Sequence, residues 1–356
     1  MLVFISDYPN KQNEKDGMMQ RVAAIDEVFR SHKRIYLDIY IYPFLHLIPS
    51  RTRHDENLTC WKVNFIWLLF FLPNILLSKM VYVHSIYNAY KILFLYKLIG
   101  NKIITDIHGV VPEELLFLGH ADLAKKYNII EELVVSTSYR IITVTDSMKR
   151  HFCNKYKNNE IESINLPIFD HEASKSQLTK RVHGDAYTIL YSGGSQKWQN
   201  TDLMIESTSK LIHRFNFVFL TGDTNVFQSK LDEYSLNNNV ELKSVEKNKV
   251  YEEYKKADFG FVLRDENTVN TVSCPTKLIE YLTYGLIPIV IQPEIGDFND
   301  LGYKYILLED LLEKELPSYQ ELEAMRLWNW SIIQNMSTEV SESKKKLKQL
   351  AFCKES

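Results

Sequence analysis

Cysteine is sparse and scattered in this chain. Cys60, Cys153, Cys274 and Cys353 form no C-x-x-C pair, a pattern that fits a reducing compartment and argues against a zinc site. Glycine is also scarce, 12 in 356 residues, and no repeat or low-complexity linker is visible. The net charge of −3 gives no ground for nucleic-acid binding. The N-terminus, MLVFISDYPN, has neither a basic start nor a long apolar region, so no signal peptide is expected. The most apolar stretch, Trp61 to Leu77, is interrupted by Lys62, Asn64, Pro73 and Asn74. It falls short of the ~20 apolar residues of a membrane span. The part from Phe65 to Leu77 reads as a core helix or a helix under a long loop, with contact at a membrane interface as the alternative.

What is present is the composition of a globular protein, 45% apolar and 24% charged. At 356 residues the chain is long for one core, so two domains are expected. In the first half Leu2 to Ile5, Arg34 to Tyr42, Met80 to His84, Lys102 to Ile107, Ile141 to Thr145 and Ile161 to Ile164 read as strands. In the second half Tyr187 to Tyr191, Phe217 to Leu220, Val240 to Leu242, Phe259 to Leu263 and Ile287 to Ile291 do. Helical patterns lie between them, among them Tyr87 to Ile99, Met148 to Tyr156 with Asp146-Ser147 as cap, and Val250 to Lys256. Pro43 to Asn57 reads as irregular. This alternation builds open parallel α/β sheets, whose ligands sit beyond the carboxyl ends of the strands.

The most informative stretch is DFGFVLRDENTVNTVSCPTKLIEYLTYGLIPIV, Asp258 to Val290. A buried strand leads through a polar loop, Arg264 to Cys274, into a helix. Pro275 stands at its first position, with Ser273 or Cys274 as cap, and Gly285 ends it. A helix that opens just after a strand offers free N–H groups and a positive dipole end to an anion. Lys277 and Glu280, three apart, share one face near that end. A cation for phosphate and a carboxylate for sugar hydroxyls suit a nucleotide diphosphate. Taken alone, the pair equally fits an ordinary surface ion pair.

The pattern S-x-P-T-K-x-x-E-Y-L-x-x-G-x-x-P-I resembles the donor-site segment of family 4 (GT-B fold) nucleotide-sugar glycosyltransferases. The nearest branch builds bacterial capsule, O-antigen and other surface polysaccharides. The resemblance implies that Glu280 holds the nucleotide ribose and that Ser273, Thr276 and Lys277 lie at the diphosphate. Many members carry a further glutamate eight positions before the ribose glutamate; here that position is Val272.

Other stretches are weaker by themselves. Gly17 opens a helix after the first strand, and Lys15-Asp16-Gly17 with Gln20-Arg21 resembles the family's N-terminal glycine loop. There Asp16 would face the acceptor and Gly17 the donor. DIHGVVPEE places His108 and Gly109 just past a strand end, where a histidine faces a cleft or is a hydrogen-bonded structural residue. Glu113 and Glu114 then orient acceptor hydroxyls, accept a proton, or serve as helix N-terminal charges. The resemblance puts this turn on the acceptor side. Ser192-Gly193-Gly194-Ser195 before Lys197 suits phosphate approach, though it is neither a P-loop nor a G-x-G-x-x-G motif. The resemblance makes Gly194 and Lys197 donor-site residues and brings Ser244 and Val245 to the nucleobase. The lysine run Lys344, Lys345, Lys346 and Lys348 reads as a solvated face, with lipid binding as the alternative.

The fold class expected is therefore α/β, a GT-B arrangement of two Rossmann-like domains with parallel sheets facing an inter-domain cleft. Residues 1–168 would bind the acceptor and 169–185 would be the linker. Residues 186–318 would bind the donor, and 319–356 would form C-terminal helices returning to the first domain. The resemblance implies retaining transfer from a UDP- or GDP-linked sugar to a glycan or lipid-linked glycan acceptor. His108, Arg264 and Lys277 would be catalytic, with no obligatory metal and no cofactor beyond the sugar nucleotide. Such an enzyme would be cytoplasmic, or peripheral on the inner face of the cytoplasmic membrane. A GT-B sugar-nucleotide epimerase and a non-catalytic scaffold of a polysaccharide assembly complex remain the alternatives.

Overall fold

The computed structural model describes residues 1–10, 13, 17–42, 44–167, 178 and 186–352. Asp16 and nearly all of the expected linker therefore lie outside the described residues. The chain divides into two compact units: Met1–Asp170 with Val340–Ser356, and His171–Glu339.

The first unit begins with β1 (Leu2–Ile5), α1 (Gly17–Val28), β2 (Arg34–Tyr40), β3 (Ser50–Arg53), β4 (Leu58–Asn64), α2 (Leu68–Leu76) and β5 (Met80–His84). It continues with α3 (Ser85–Tyr90), α4 (Leu93–Ile99), β6 (Ile103–Asp106), α5 (Val111–Phe117), α6 (Ala121–Thr137), β7 (Arg140–Thr143), α7 (Asp146–Tyr156) and β8 (Ser163–Asn165). Its sheet runs β3-β4-β2-β1-β5-β6-β7-β8. Among the described strands only β3 is antiparallel, paired with β4 at the edge. Helices cover both faces of a parallel sheet, and β1, β5 and β6 are accordingly buried at every position.

The second unit holds β9 (Tyr187–Ser192), α8 (Thr201–Leu211), β10 (Phe215–Leu220), α9 (Thr224–Glu233), β11 (Val240–Lys243), α10 (Lys247–Tyr254) and β12 (Phe259–Val262). Then come α11 (Thr268–Thr271), α12 (Thr276–Thr283), β13 (Ile287–Val290), β14 (Ile306–Leu307), α13 (Leu308–Glu313) and α14 (Tyr319–Phe352). Its sheet is parallel throughout in the order β11-β10-β9-β12-β13-β14. Phe217, Phe219, Phe259 and Phe261 fill the core beneath it. α14 is one 34-residue helix where the sequence pattern suggested two. Its residues from Val340 onward group with the first unit, where Val340, Leu347 and Ala351 join the core around Phe4.

Several local expectations are corrected. The segment expected to be irregular before Asn57 contains β3, and the apolar run begins as strand β4, which pairs along its whole length with β2. Only the remainder is helical, and α2 buries Leu68, Phe71 and Ile75 while Leu69 and Phe70 stay exposed. The core reading of Phe65 to Leu77 thus holds for one face alone. The helix expected from Tyr87 to Ile99 is split into α3 and α4 at Ile92, whose φ of −131° is not helical. Thr145, not Asp146, caps α7, its hydroxyl accepting from the Met148 N–H at 3.0 Å. Pro275 sits at the cap of α12 with ψ 117° rather than in its first turn. The polar loop before it contains the short helix α11.

One charged pair joins the elements of the first unit. Arg21, on α1, bonds both carboxylate oxygens of Asp106 at the end of β6, and both side chains are buried. Arg21 also donates to the Leu166 carbonyl. The Tyr82 hydroxyl adds a 2.9 Å bond to Asp106. Burial by itself would raise the Asp106 carboxyl, but Arg21, His108 and His84 prevail and hold it well below the usual carboxylate range.

Removing one partner of a buried pair leaves the other charge uncompensated, at a cost of about 3–5 kcal/mol. Asp106→Ala should therefore lose stability on that scale in urea unfolding. Because the folded value is depressed, this stabilisation is present above the ordinary carboxylate value of about 3.9. It is lost as pH falls through the folded value. Asp106→Asn should remove that part of the acid sensitivity, and an unchanged acid-unfolding profile would contradict the assignment.

Candidate functional site

In the second unit the candidate residues gather at the carboxyl ends of β9 and β12. β9 ends in Tyr191 and Ser192, and the chain turns through Gly193 and Gly194. A β-carbon on Gly193 would stand 2.5 Å from Lys277 Nζ, so the turn lies directly against that ammonium. Lys277, in the first turn of α12, also lies 3.9 Å from the centre of the Tyr191 ring and donates to Gln199 Oε1 at 3.1 Å. The Tyr191 hydroxyl donates to the Gly194 carbonyl. Ser195 closes the turn, its N–H and hydroxyl both bonding Asp223 Oδ2 at 2.8 Å.

Arg264, two residues beyond β12, is 9% exposed. Its Nη1 donates to Asn270 Oδ1 at 3.1 Å, and its Nε is buried with no hydrogen-bond partner among the described residues. Asn270 is held by the Asp265 carbonyl, and Ser273 Oγ bonds the Asn270 carbonyl at 3.0 Å. The loop that carries Arg264 is thereby pinned to the approach to α12. Burial lowers the Arg264 guanidinium to about 10. Burial, then the neighbouring Arg264, hold the Lys277 ammonium well below the lysine range, with Glu280 pulling weakly the other way. Among the described residues neither cation has a carboxylate within ion-pair distance; their contacts are amides and an aromatic face.

Glu280, one turn further along α12, accepts a 2.7 Å hydrogen bond from the buried Tyr254 hydroxyl. The adjacent Tyr281 accepts from the Ser192 N–H at 2.9 Å, fixing the helix to the end of β9. Val272 is buried. Lys197 is exposed in a 3-10 turn, Lys197–Gln199, and it is Gln199 from that turn that reaches Lys277. Ser244 is exposed and Val245 half-buried in the loop after β11.

In the first unit His108 stands two residues past β6, its Nδ1 3.7 Å from Asp106 Oδ1. The fully buried His84 brings its Nδ1 to 3.5 Å from the other carboxylate oxygen. Asp106 thus stands between two imidazoles, and burial lowers the pKa of the His84 ring. Ser85, next to His84, adopts a left-handed φ of 69°, a conformation that non-glycine residues keep only where their surroundings impose it. The two glutamates of α5 part company. Glu114 lies against Gly109, and burial raises its carboxyl. Glu113 is engaged by Lys155 Nζ at 2.8 Å and His151 Nε2 at 3.1 Å. Gly17 opens α1 with open space where a β-carbon would stand.

Sequence reasoning missed Gln199, Tyr191, Tyr254, Asn270, Tyr82 and His84. Tyr191 and His84 could have been found as polar residues ending buried strands. Tyr254 meets Glu280 across two different helices, a pairing that no spacing announces. Among the described residues no group of His, Cys, Asp or Glu side chains is arranged to hold a metal ion.

No protein-family model matches the sequence, and no curated protein does. Solved structures do. WaaG, a glycosyltransferase involved in lipopolysaccharide biosynthesis, is similar at 12% identity and a TM-score of 0.67, over 99% of this chain and 100% of that one. Sucrose-phosphate synthase from Thermosynechococcus elongatus matches at 11% identity and 0.66, over 98% and 97%. HepE from Anabaena, in complex with UDP and glucose, matches at 11% and 0.61, over 99% and 95%. At such identities the likeness establishes the fold, the GT-B architecture of two parallel-sheet α/β units.

Proposed function

We propose that this chain is a retaining glycosyltransferase that moves a sugar from a UDP- or GDP-linked donor to a glycan or lipid-linked glycan acceptor in surface-polysaccharide biosynthesis. The observation that carries the reading is the pair of cations, buried Arg264 and half-buried Lys277, with no carboxylate in contact among the described residues, beside a glycine turn and a helix N-terminus. Two neighbouring desolvated positive charges are costly unless an anion completes them. A diphosphate does so, at the point where negative charge develops as the sugar departs. With two side-chain cations available, the reading calls for no obligatory metal.

Glu280, oriented by Tyr254, suits the ribose hydroxyls. Ser273, Thr276, Gly194 and Lys197 serve the diphosphate, Ser244 and Val245 the nucleobase, and Gly17 keeps the donor role that the resemblance implies. His108, steadied by Asp106, serves the acceptor side with Asp16, Glu113 and Glu114. The resemblance at DIHGVVPEE and SCPTKLIEYLTYG supports this donor and product class, as do the UDP and glucose bound to HepE and the role of WaaG in lipopolysaccharide synthesis. The site of action on this reading is the cytoplasm, at the inner membrane face where the acceptor is lipid-linked. Val272, buried and apolar where many family members carry glutamate, favours as second reading a protein that binds the nucleotide sugar without transferring it. Incubating the purified chain with a panel of UDP- and GDP-sugars separates transfer, epimerisation and binding alone.

Glu280→Ala should weaken nucleotide-sugar binding by about 1.5–3 kcal/mol, the worth of hydrogen bonds to a charged group. Tyr254→Phe should cost less, about 0.5–1.5 kcal/mol, because it only loosens the carboxylate. Titration calorimetry reads both, and unchanged affinity in Glu280→Ala would remove the ribose assignment.

A diphosphate favours the charged form of Lys277, whose value is depressed in the free protein. Binding should therefore take up a proton above that depressed value, and affinity should fall as pH rises through it. Calorimetry in buffers of different ionisation heat measures the uptake, which Lys277→Met should abolish.

His108→Ala should lower transfer by about 10²-fold, the scale of a positioned acid–base or polar group, while nucleotide affinity holds. Equal loss of both would mean that the ring supports the fold instead.

A further inference from the structure

The second unit holds a cleft of about 670 Å³ that no residue of the candidate site lines. It lies along the edge strand β14, bordered by residues 302–305, the end of α13 and the start of α14. Both walls are clamped by polar side chains. Asn329, buried in α14, accepts from the Lys304 N–H and donates to the Lys304 carbonyl, each at 2.7 Å. Arg214 donates to the Leu311 carbonyl at 2.7 Å and to the Lys314 carbonyl at 2.9 Å, which fixes the end of α13. The Ser318 N–H donates to Glu321 Oε2 at 2.8 Å and sets the start of α14. Walls held in this way keep the cleft open over its apolar lining, Ile306, Leu311 and Met325. A preformed, largely apolar cavity with a few polar groups is the common form of a ligand site.

Aromatic rings stand at its mouth. Tyr305 lines the cleft and packs on Tyr303, their ring centres 5.0 Å apart. Trp328 follows Met325 by three positions, so both lie on one face of α14. Its Nε1 donates to the Gly302 carbonyl at 2.9 Å, and the Lys304 ammonium lies 5.6 Å from its ring centre. The indole is thereby fixed beside the cleft, yet it is 51% exposed and keeps ring surface for a ligand. Charge then selects the class of ligand. Among the described residues that line the cleft, Lys304 and Lys314 are matched by Asp310 and Glu315, and Lys314 Nζ already bonds Asp310 at 2.6 Å. This balance offers a phosphate no excess of positive charge, in contrast to Lys277 and Arg264. A peptide adding to the sheet would find a strand of only two residues. A sugar ring uses the whole set: its C–H face packs on an aromatic side chain, and its hydroxyls bond the exposed Asn299 amide and the mixed charges. We infer that this cleft binds a neutral oligosaccharide at a site of its own, apart from the nucleotide-sugar residues. A glycan held there is kept at raised local concentration for any site that acts on it.

The inference goes beyond the transfer reading and stands without it. The test uses the full-length chain without nucleotide, with maltohexaose, cellohexaose and mannohexaose as probes, followed by saturation-transfer NMR and titration calorimetry. At least one probe should bind. Trp328→Ala and Asn299→Ala should each weaken that binding by about three- to tenfold, the scale of one aromatic contact or one hydrogen bond. Trp328→Phe, which keeps an aromatic face, should retain most of it. Both side chains are exposed, so the variants should keep the parental thermal midpoint. Neither UDP nor inorganic phosphate should displace the bound probe. Binding of none of the three oligosaccharides would overturn the inference. Binding that neither alanine variant weakens would also overturn it, because the sugar would then sit elsewhere. Displacement by UDP or phosphate would mean an anion site or the nucleotide-sugar site instead. If Trp328→Ala fails to fold, Asn299→Ala decides by the same criterion.

Discussion

The buried Arg21–Asp106 pair is the constraint on which the first unit depends. It brings together a helix, the carboxyl end of a central strand and the backbone at Leu166, three parts of the chain far apart in sequence. An ionised carboxylate survives burial only when its oxygens are matched by donors, and here Arg21 and Tyr82 supply them. Once it is ionised, the same carboxylate can orient two imidazoles. The polar character of this strand end therefore follows from one charge that has to be satisfied. An apolar pair of similar volume would fold as well or better, so the charge is retained where it positions something.

The second unit meets the same problem differently. Its buried phenols are satisfied locally: Tyr191 by the Gly194 carbonyl, Tyr254 by Glu280 and Tyr281 by the Ser192 N–H. These bonds hold the glycine turn, α12 and α10 in a fixed relation. Lys277 and Arg264 are left without acidic partners among the described residues, the opposite of Arg21. A framework that satisfies its neutral groups and leaves two positive charges incomplete is organised for an anion that arrives from outside.

The sequence by itself determined the alternation of strand and helix, and with it two parallel α/β sheets. Buried strands must be apolar on both faces, and that leaves a pattern any reader of residues can see in LVFI or FGFV. It also determined the chemistry next to the strand ends, because His108 follows β6 by two residues and Lys277 and Glu280 lie in the first turns of α12, the helix beyond β12. Pairings across loops were not legible. Glu113 and Glu114 are adjacent in sequence, yet one is bound by His151 and Lys155 and the other lies against Gly109; helix orientation and the placement of α7 decide which is which. Lys197, the basic residue of its loop, points out, and Gln199 takes the place beside Lys277. The apolar stretch from Phe65 to Leu77 is the clearest case. Periodicity cannot tell a helix buried on all sides from one buried on a single face, since both are apolar throughout. Only the tertiary structure, by covering Leu68, Phe71 and Ile75 and leaving Leu69 and Phe70 bare, decided that this segment presents a surface, because burial depends on what packs against a helix and not on the helix alone.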